Sequence, residues 1–236
     1  MMNLKKIFAI VLIATFLAAI PLAVSNIDSE LVQAVFTIKV EDNYGKPPGL
    51  PGKAKPTSAD YKILLKRYIT EVPADLTIYA TNYEGISVTE FELAITYAAE
   101  AWDEATSKDL VGTIITDETG SGVVAVDNKN ALFFANLDSG VIAMASVWYN
   151  RFTRTIVECD IQFNTDFIWG DASMDPGVMD LWNIATHELG HFFNLADIYD
   201  TSKSYLTMYG YSFEGDIEKR DLAQGDIDGI VAVFGP

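Results

Sequence analysis

His187-Glu188-Leu189-Gly190-His191-Phe192-Phe193-Asn194-Leu195-Ala196-Asp197 organises this 236-residue chain. His187 and His191 are four apart. On a helix that spacing puts both imidazoles on one face, one turn apart, close enough to share an ion. Neutral imidazole suits zinc, and zinc accepts the tetrahedral geometry that this spacing gives. Glu188 is rotated off that line, so it can reach a water on the metal without being a ligand. A five-residue pattern of this kind also arises by chance, but the chain has only two histidines and both are here.

A catalytic zinc takes three protein ligands and keeps its fourth position open. The helix must therefore stop after His191 and the chain must return to the metal. Asn194 sits where the turn is needed, and after Gly it is the residue that best tolerates the left-handed conformation. Asp197, three residues on, can offer a carboxylate oxygen. Asp200 is the alternative third ligand.

Asp175-Pro176 predicts the start of the motif helix, with Asp as cap and Pro at the first position, running through Trp182, Ile184 and Leu189 to about Phe193. A last helix is predicted over residues 221–233. Upstream, residues 155–164 alternate: Val157, Cys159, Ile161 and Phe163 share one face, and Glu158, Asp160 and Gln162 the other. Cys159 therefore reads as a small buried residue. Three further strands are expected over 110–116, 131–137 and 141–149, and another over 76–81. Ser87-Val88-Thr89-Glu90 is a capping box, and Phe91, Ile95, Ala98, Trp102 and Ala105 follow at helical spacing. A helix is thus expected over 88–107.

The N-terminal part differs in character. Residues 31–40 read as a strand. Residues 45–56 hold four of the eight prolines and predict a linker or extended loop. Lys5-Lys6, an apolar run over 7–20, Pro21 and the small residues Ala23 and Ser25 have the anatomy of a secretory signal peptide cleaved after Ser25. The competing account is an uncleaved membrane anchor over 7–24.

Half the residues are apolar and 21% are charged, which is a globular composition. The net charge of −17 argues against a nucleic-acid partner, since Lys and Arg form no cluster larger than adjacent pairs such as Lys5-Lys6, Lys66-Arg67 and Lys219-Arg220. The acidity serves solubility first; calcium is the second cation some of these carboxylates are suited to bind. With one cysteine, no intramolecular disulfide can form.

His187-Glu188-x-x-His191-x-x-Asn194-x-x-Asp197 resembles the extended zinc motif of the metzincin metallopeptidases. Asn194 stands where Gly is usual, and Asp197 replaces the third His, as in the snapalysin-like members. Thr207-Met208-Tyr209-Gly210, with Met208 17 residues after His191, is similar to the clan's Met-turn. The resemblance makes Met208 a hydrophobic floor beneath the metal and not a ligand. The order of elements, the motif helix and Asp226-Ile227-Asp228-Gly229-Ile230 are similar to a matrixin catalytic domain, from about Tyr61 to Pro236. The matrixin cysteine switch is absent, so latency by thiolate ligation is not available.

The resemblance implies an α+β fold: a twisted, mostly parallel sheet of about five strands with an antiparallel edge strand over 141–149, packed with three helices. Together with the residue pattern of the N-terminal part, it divides the chain into a signal peptide (1–25), a short N-terminal segment with the Pro/Gly-rich linker (26–60) and a metallopeptidase catalytic domain (61–236). The expected function is a secreted zinc-dependent endopeptidase. Glu188 assists attack of a zinc-bound water on an internal peptide bond, then hands the proton to the leaving amine. The substrate is a polypeptide added as an extended strand to the sheet edge. Tyr209 and Tyr211 are pocket-wall aromatics or hydrogen-bond donors. The alternatives are a catalytically idle zinc-binding extracellular module and a metallohydrolase acting on a non-protein amide.

Overall fold

The computed structural model describes residues 30–41, 60–80 and 85–236. The signal-peptide segment and the Pro/Gly-rich 45–56 lie outside the described residues. The described residues form ten strands: β1 Leu31–Val40, β2 Ile69–Thr70, β3 Ala74–Tyr79, β4 Val111–Asp117, β5 Asn130–Ala135, β6 Val141–Asn150, β7 Thr155–Asn164, β8 Trp169–Gly170, β9 Met179–Asp180 and β10 Tyr211–Ser212. Three α-helices accompany them: α1 Val88–Asp103, α2 Leu181–Phe192 and α3 Gln224–Phe234.

The main sheet has the order β10-β1-β6-β7-β5-β3-β4, with β2 paired to β7. β4, β3, β5 and β7 run parallel, and β6 joins β7 antiparallel. This is the expected α+β fold, mostly parallel with an antiparallel member. One expectation needs correcting. β6 is not an edge strand, because β1 pairs with it antiparallel from Leu31↔Asn150 to Lys39↔Val141. Leu31–Val40 is thereby part of the same sheet, although the sequence sets it apart as an N-terminal segment. The two partners are more than 100 residues apart, and strand propensity carries no information about such a non-local partner.

α1 begins at Ser87, whose hydroxyl accepts from the Glu90 amide, while Glu90 accepts from the Ser87 amide. It ends at Asp103, four residues before the expected 107, because the Asp103 carboxylate accepts from the Leu110 and Val111 amides and turns the chain into β4. Phe91, Ile95, Ala98 and Trp102 fill the core on its inner face. α1 packs on α2, and α2 packs on β6 and β7.

α2 does not start at Asp175-Pro176. Asp175 spends its carboxylate on the nearby Gly177 amide, closing a local turn. The cap is Asp180, whose side chain accepts from the Asn183 amide at 2.8 Å and is clamped by Arg220. Cys159 is buried, as expected. The opposite face of β7 is not a solvated face. Glu158 accepts from the Asp127 and Asn128 amides and Asp160 from the Ala125 and Ala131 amides, so both carboxylates are buried beneath the β4–β5 connection. Burial pushes Asp160 up to about 7.

Among the described residues no helix is long and apolar enough to cross a membrane.

Candidate active site

α2 runs straight through the motif, so His187 and His191 project from one face and are wholly buried. Their rings meet edge to face with centroids 4.9 Å apart. Each ring is held at the far nitrogen. His187 Nδ1 lies 2.7 Å from the Thr207 carbonyl, and His191 Nδ1 lies 2.9 Å from the Leu195 carbonyl. A carbonyl only accepts, so both rings carry Nδ1–H and both Nε2 lone pairs are free.

The chain leaves α2 at Asn194, where φ is +73°, in the left-handed region that Asn was expected to occupy. Its side chain does more than tolerate that conformation. Asn194 Oδ1 accepts from the Leu65 amide, and its Nδ2 donates to the Leu65 and Tyr68 carbonyls. Gly would make the same turn but lose all three bonds. Asn194→Gly is therefore expected to lower stability by about 1–3 kcal/mol in a denaturant titration, after offsetting the relief of backbone strain.

The return brings Asp197 over the histidines. Its Oδ1 lies 3.2 Å from His187 Nε2 and 3.6 Å from His191 Nε2. Tyr199 donates its hydroxyl to the other carboxylate oxygen at 3.0 Å, and Lys62 Nζ donates to the Asp197 carbonyl. Tyr199 thus fixes which oxygen faces the imidazoles. No motif marks it; its only signal is an aromatic residue two positions after the acid. Asp200 turns away, and its carboxylate accepts from the Ser202 amide and hydroxyl.

His187 Nε2, His191 Nε2 and Asp197 Oδ1 are buried and have no hydrogen-bond partner among the described residues. Three such atoms side by side are costly unless something binds them. Ligands each about 2.0–2.2 Å from a tetrahedral zinc would stand roughly 3.3 Å apart, which suits the two distances to Asp197. Among the described residues these three form a group whose donor atoms can hold one cation. Burial lowers His191 to about 4, so its imidazole is neutral, the form that ligates. Burial opposes charge on Asp197, and the Tyr199 hydroxyl supports it by donating to the carboxylate.

Glu188 is wholly buried beside this group. Burial first, and the Asp197 charge second, push its pKa well above the usual carboxylate value, while the backbone of Ile38 pulls the other way. That backbone contact falls short of hydrogen-bond geometry, and both Glu188 oxygens are without a hydrogen bond among the described residues.

Met208 is buried beneath α2. A Cβ on Gly190 would stand 2.3 Å from Met208 Sδ and 2.9 Å from Trp102 Cζ2, so the glycine inside the motif lets the helix rest on that methionine. Asp226 holds the turn from below, accepting from the amides of Thr207, Met208 and Ala223. Tyr209 donates to Glu41, and Tyr211 joins β10, so the donor role open to either tyrosine is already committed for Tyr209.

A family model described as matrixin matches residues 73–235, more than half of the chain. The chain belongs to the matrixin family. Within this matrixin, a stretch of 77 residues is 39% identical to interstitial collagenase of Oryctolagus cuniculus. The corresponding proteins of Bos taurus and Sus scrofa are 38% and 36% identical over the same length. The match covers 33% of this matrixin and 15% of each collagenase.

Proposed function

We propose that this matrixin is a secreted zinc-dependent endopeptidase, with His187, His191 and Asp197 as zinc ligands and Glu188 as the proton carrier. The observation that carries this is the convergence of three buried, unpartnered donor atoms beside an unpartnered buried carboxylate. The family membership supports zinc and peptide hydrolysis, and Asp197 gives the site the snapalysin-like third ligand. Met208 is the floor on which α2 rests and stays out of the ligand set.

Zinc in this site would supply Lewis acidity and lower the pKa of a water from 15.7 towards ~7. The two Nδ1–H bonds to Thr207 and Leu195 orient the imidazoles, and Tyr199 orients Asp197. Glu188 takes a proton on a carboxylate oxygen as water attacks the scissile carbonyl, then gives it to the departing amine. Both Glu188 oxygens are buried beside the donor group and make no hydrogen bond among the described residues, so either can take the proton. The substrate is an extended polypeptide bound through its backbone beside the motif helix; β6 has no free edge for it, since β1 and β7 flank it. Export is supported by the residue pattern over 1–25.

The experiment is cleavage of an unfolded protein by the purified chain, with zinc counted per molecule. One zinc per chain is expected, with cleavage that a chelator abolishes and added zinc restores. Cleavage that persists after chelation, or a chain that binds no zinc, would overturn the proposal.

A further inference from the structure

We propose that the end of the sheet where β6 turns into β7 is a docking surface for an anionic phospholipid bilayer. This goes beyond the peptidase chemistry and draws only on the export proposed above.

Two tight turns lie side by side there. In the first, the Tyr68 amide donates to the Leu65 carbonyl at 3.2 Å, which leaves Lys66 and Arg67 at its tip. The second, residues 151–154, joins β6 to β7. Its Arg154 amide donates to the Asn150 carbonyl at 2.9 Å, and Asn150 Oδ1 accepts from the Phe152 and Thr153 amides. β2 links the two turns, because the Ile69 amide donates to the Arg154 carbonyl at 3.2 Å and Ile69 pairs with Thr155. The Tyr68 and Tyr149 rings also meet, edge to face, with centroids 5.4 Å apart. The fold thus brings Lys66, Arg67, Arg151 and Arg154 to one end of the sheet from segments far apart in sequence.

Three of the chain's four arginines are in this patch. The fourth, Arg220, is held by Asp171 and Asp180. The four cations of the patch are exposed and form no ion pair among the described residues. Glu30 and Glu71 flank them, and Glu30 receives the Asn150 side-chain amide at 3.4 Å. This end is therefore locally cationic in a chain of net charge −17. Salt confines the reach of exposed charges to about 10 Å at 0.1 M, so an anionic surface meets the local sign and not the sum.

The backbone shows that the arginines are not there for the turns. Arg67 has φ +69° and Arg154 φ +62°, both in the left-handed region. Tight turns give such positions to Gly or Asn at lower cost. Glycine would ease both turns, so each arginine is explained by what its side chain meets.

The apolar groups decide for a bilayer over a soluble polyanion. Phe152, between the two arginines of the second turn, is 70% exposed, and Ile69 beside it is 45% exposed. A bilayer interface takes such a ring among the acyl chains while guanidinium groups stay at the phosphates. The surface is also firmly mounted. Asn194 bonds to Leu65 and Tyr68, which ties the first turn to the end of the zinc-motif helix.

The test is sedimentation of the protein, as its producing cells release it, with phosphatidylcholine vesicles that do or do not contain phosphatidylglycerol. Binding is expected only with phosphatidylglycerol, and it should weaken as salt rises. The double variant Arg67→Gly/Arg154→Gly removes two cations and eases two turns. It should melt no lower than the parent, yet bind about 30-fold more weakly, roughly fivefold for each cation lost. Phe152→Ser, at an exposed position, should weaken vesicle binding at least about fivefold and leave binding to soluble polyphosphate unchanged. Equal vesicle binding by the parent and the double glycine variant would overturn the proposal, as would indifference to phosphatidylglycerol. Polyphosphate binding without vesicle binding would make the partner a soluble polyanion and overturn the bilayer. Loss of peptidase activity has no bearing on any of these readings, and a protein that cleaves but ignores vesicles sinks the docking surface alone.

Discussion

Glu188→Ala is expected to slow peptide-bond cleavage by about 10²–10⁴-fold, the usual worth of a positioned proton carrier, while zinc still binds one ion per chain. The separation follows from the geometry. His187, His191 and Asp197 converge without help from Glu188, and their orienting bonds come from Thr207, Leu195 and Tyr199. Stability should move in the opposite direction from activity. Glu188 is buried without a hydrogen bond, so removing it relieves an uncompensated polar group and leaves none behind. A melting temperature equal to or above that of the parent is expected. The measurements are metal content, thermal melting and cleavage rate on one preparation. A variant that cuts as fast as the parent would remove Glu188 from the mechanism.

Asp226→Ala is expected to cost about 3–5 kcal/mol of folding stability, a large share of the ~5–15 kcal/mol that holds a domain together. Its carboxylate receives the Thr207 amide at 2.9 Å, the Met208 amide at 3.1 Å and the Ala223 amide at 3.1 Å. Alanine leaves all three donors without an acceptor in a site that excludes water. Burial pushes the Asp226 carboxyl up to about 6, so carrying the charge has a cost that alanine removes. That relief keeps the expected loss below the full sum for three orphaned amides. Asp226→Asn keeps one acceptor oxygen and should fall between the two. The effect should also reach the metal, because the Thr207 carbonyl orients His187. Weakened zinc affinity alongside a lowered denaturation midpoint is the expected pair of results. A change below about 1 kcal/mol would show that the Met208 turn supports itself.

The site was legible where its chemistry is local. His187 and His191 are fixed by helical spacing, and the turn at Asn194 follows from the need to end that helix. What escaped was spread along the chain. Asp226 is far from the turn it braces, and Tyr199 sits in a loop where an aromatic residue has many uses. Asp175-Pro176 has the residues of a helix start, but the Gly177 amide captures Asp175 and the cap falls to Asp180, which the sequence pattern does not single out. Glu158 and Asp160 alternate with apolar residues as solvated positions do, yet the β4–β5 connection folds down onto them. The largest surprise, β1 against β6, depends on pairing between distant segments. Alternation along a strand shows which side chains share a face, not which neighbour lies beside it.

The position of β1 also bears on how this acidic protein stays dispersed. β6 without its neighbour would present a ten-residue row of open backbone groups, the template on which strands from other molecules assemble. β1 blunts that edge, and the net charge of −17 keeps copies apart. Colloidal behaviour at high salt, where the charge is screened, therefore becomes a property of the same strand whose Phe36 ring lies on His191.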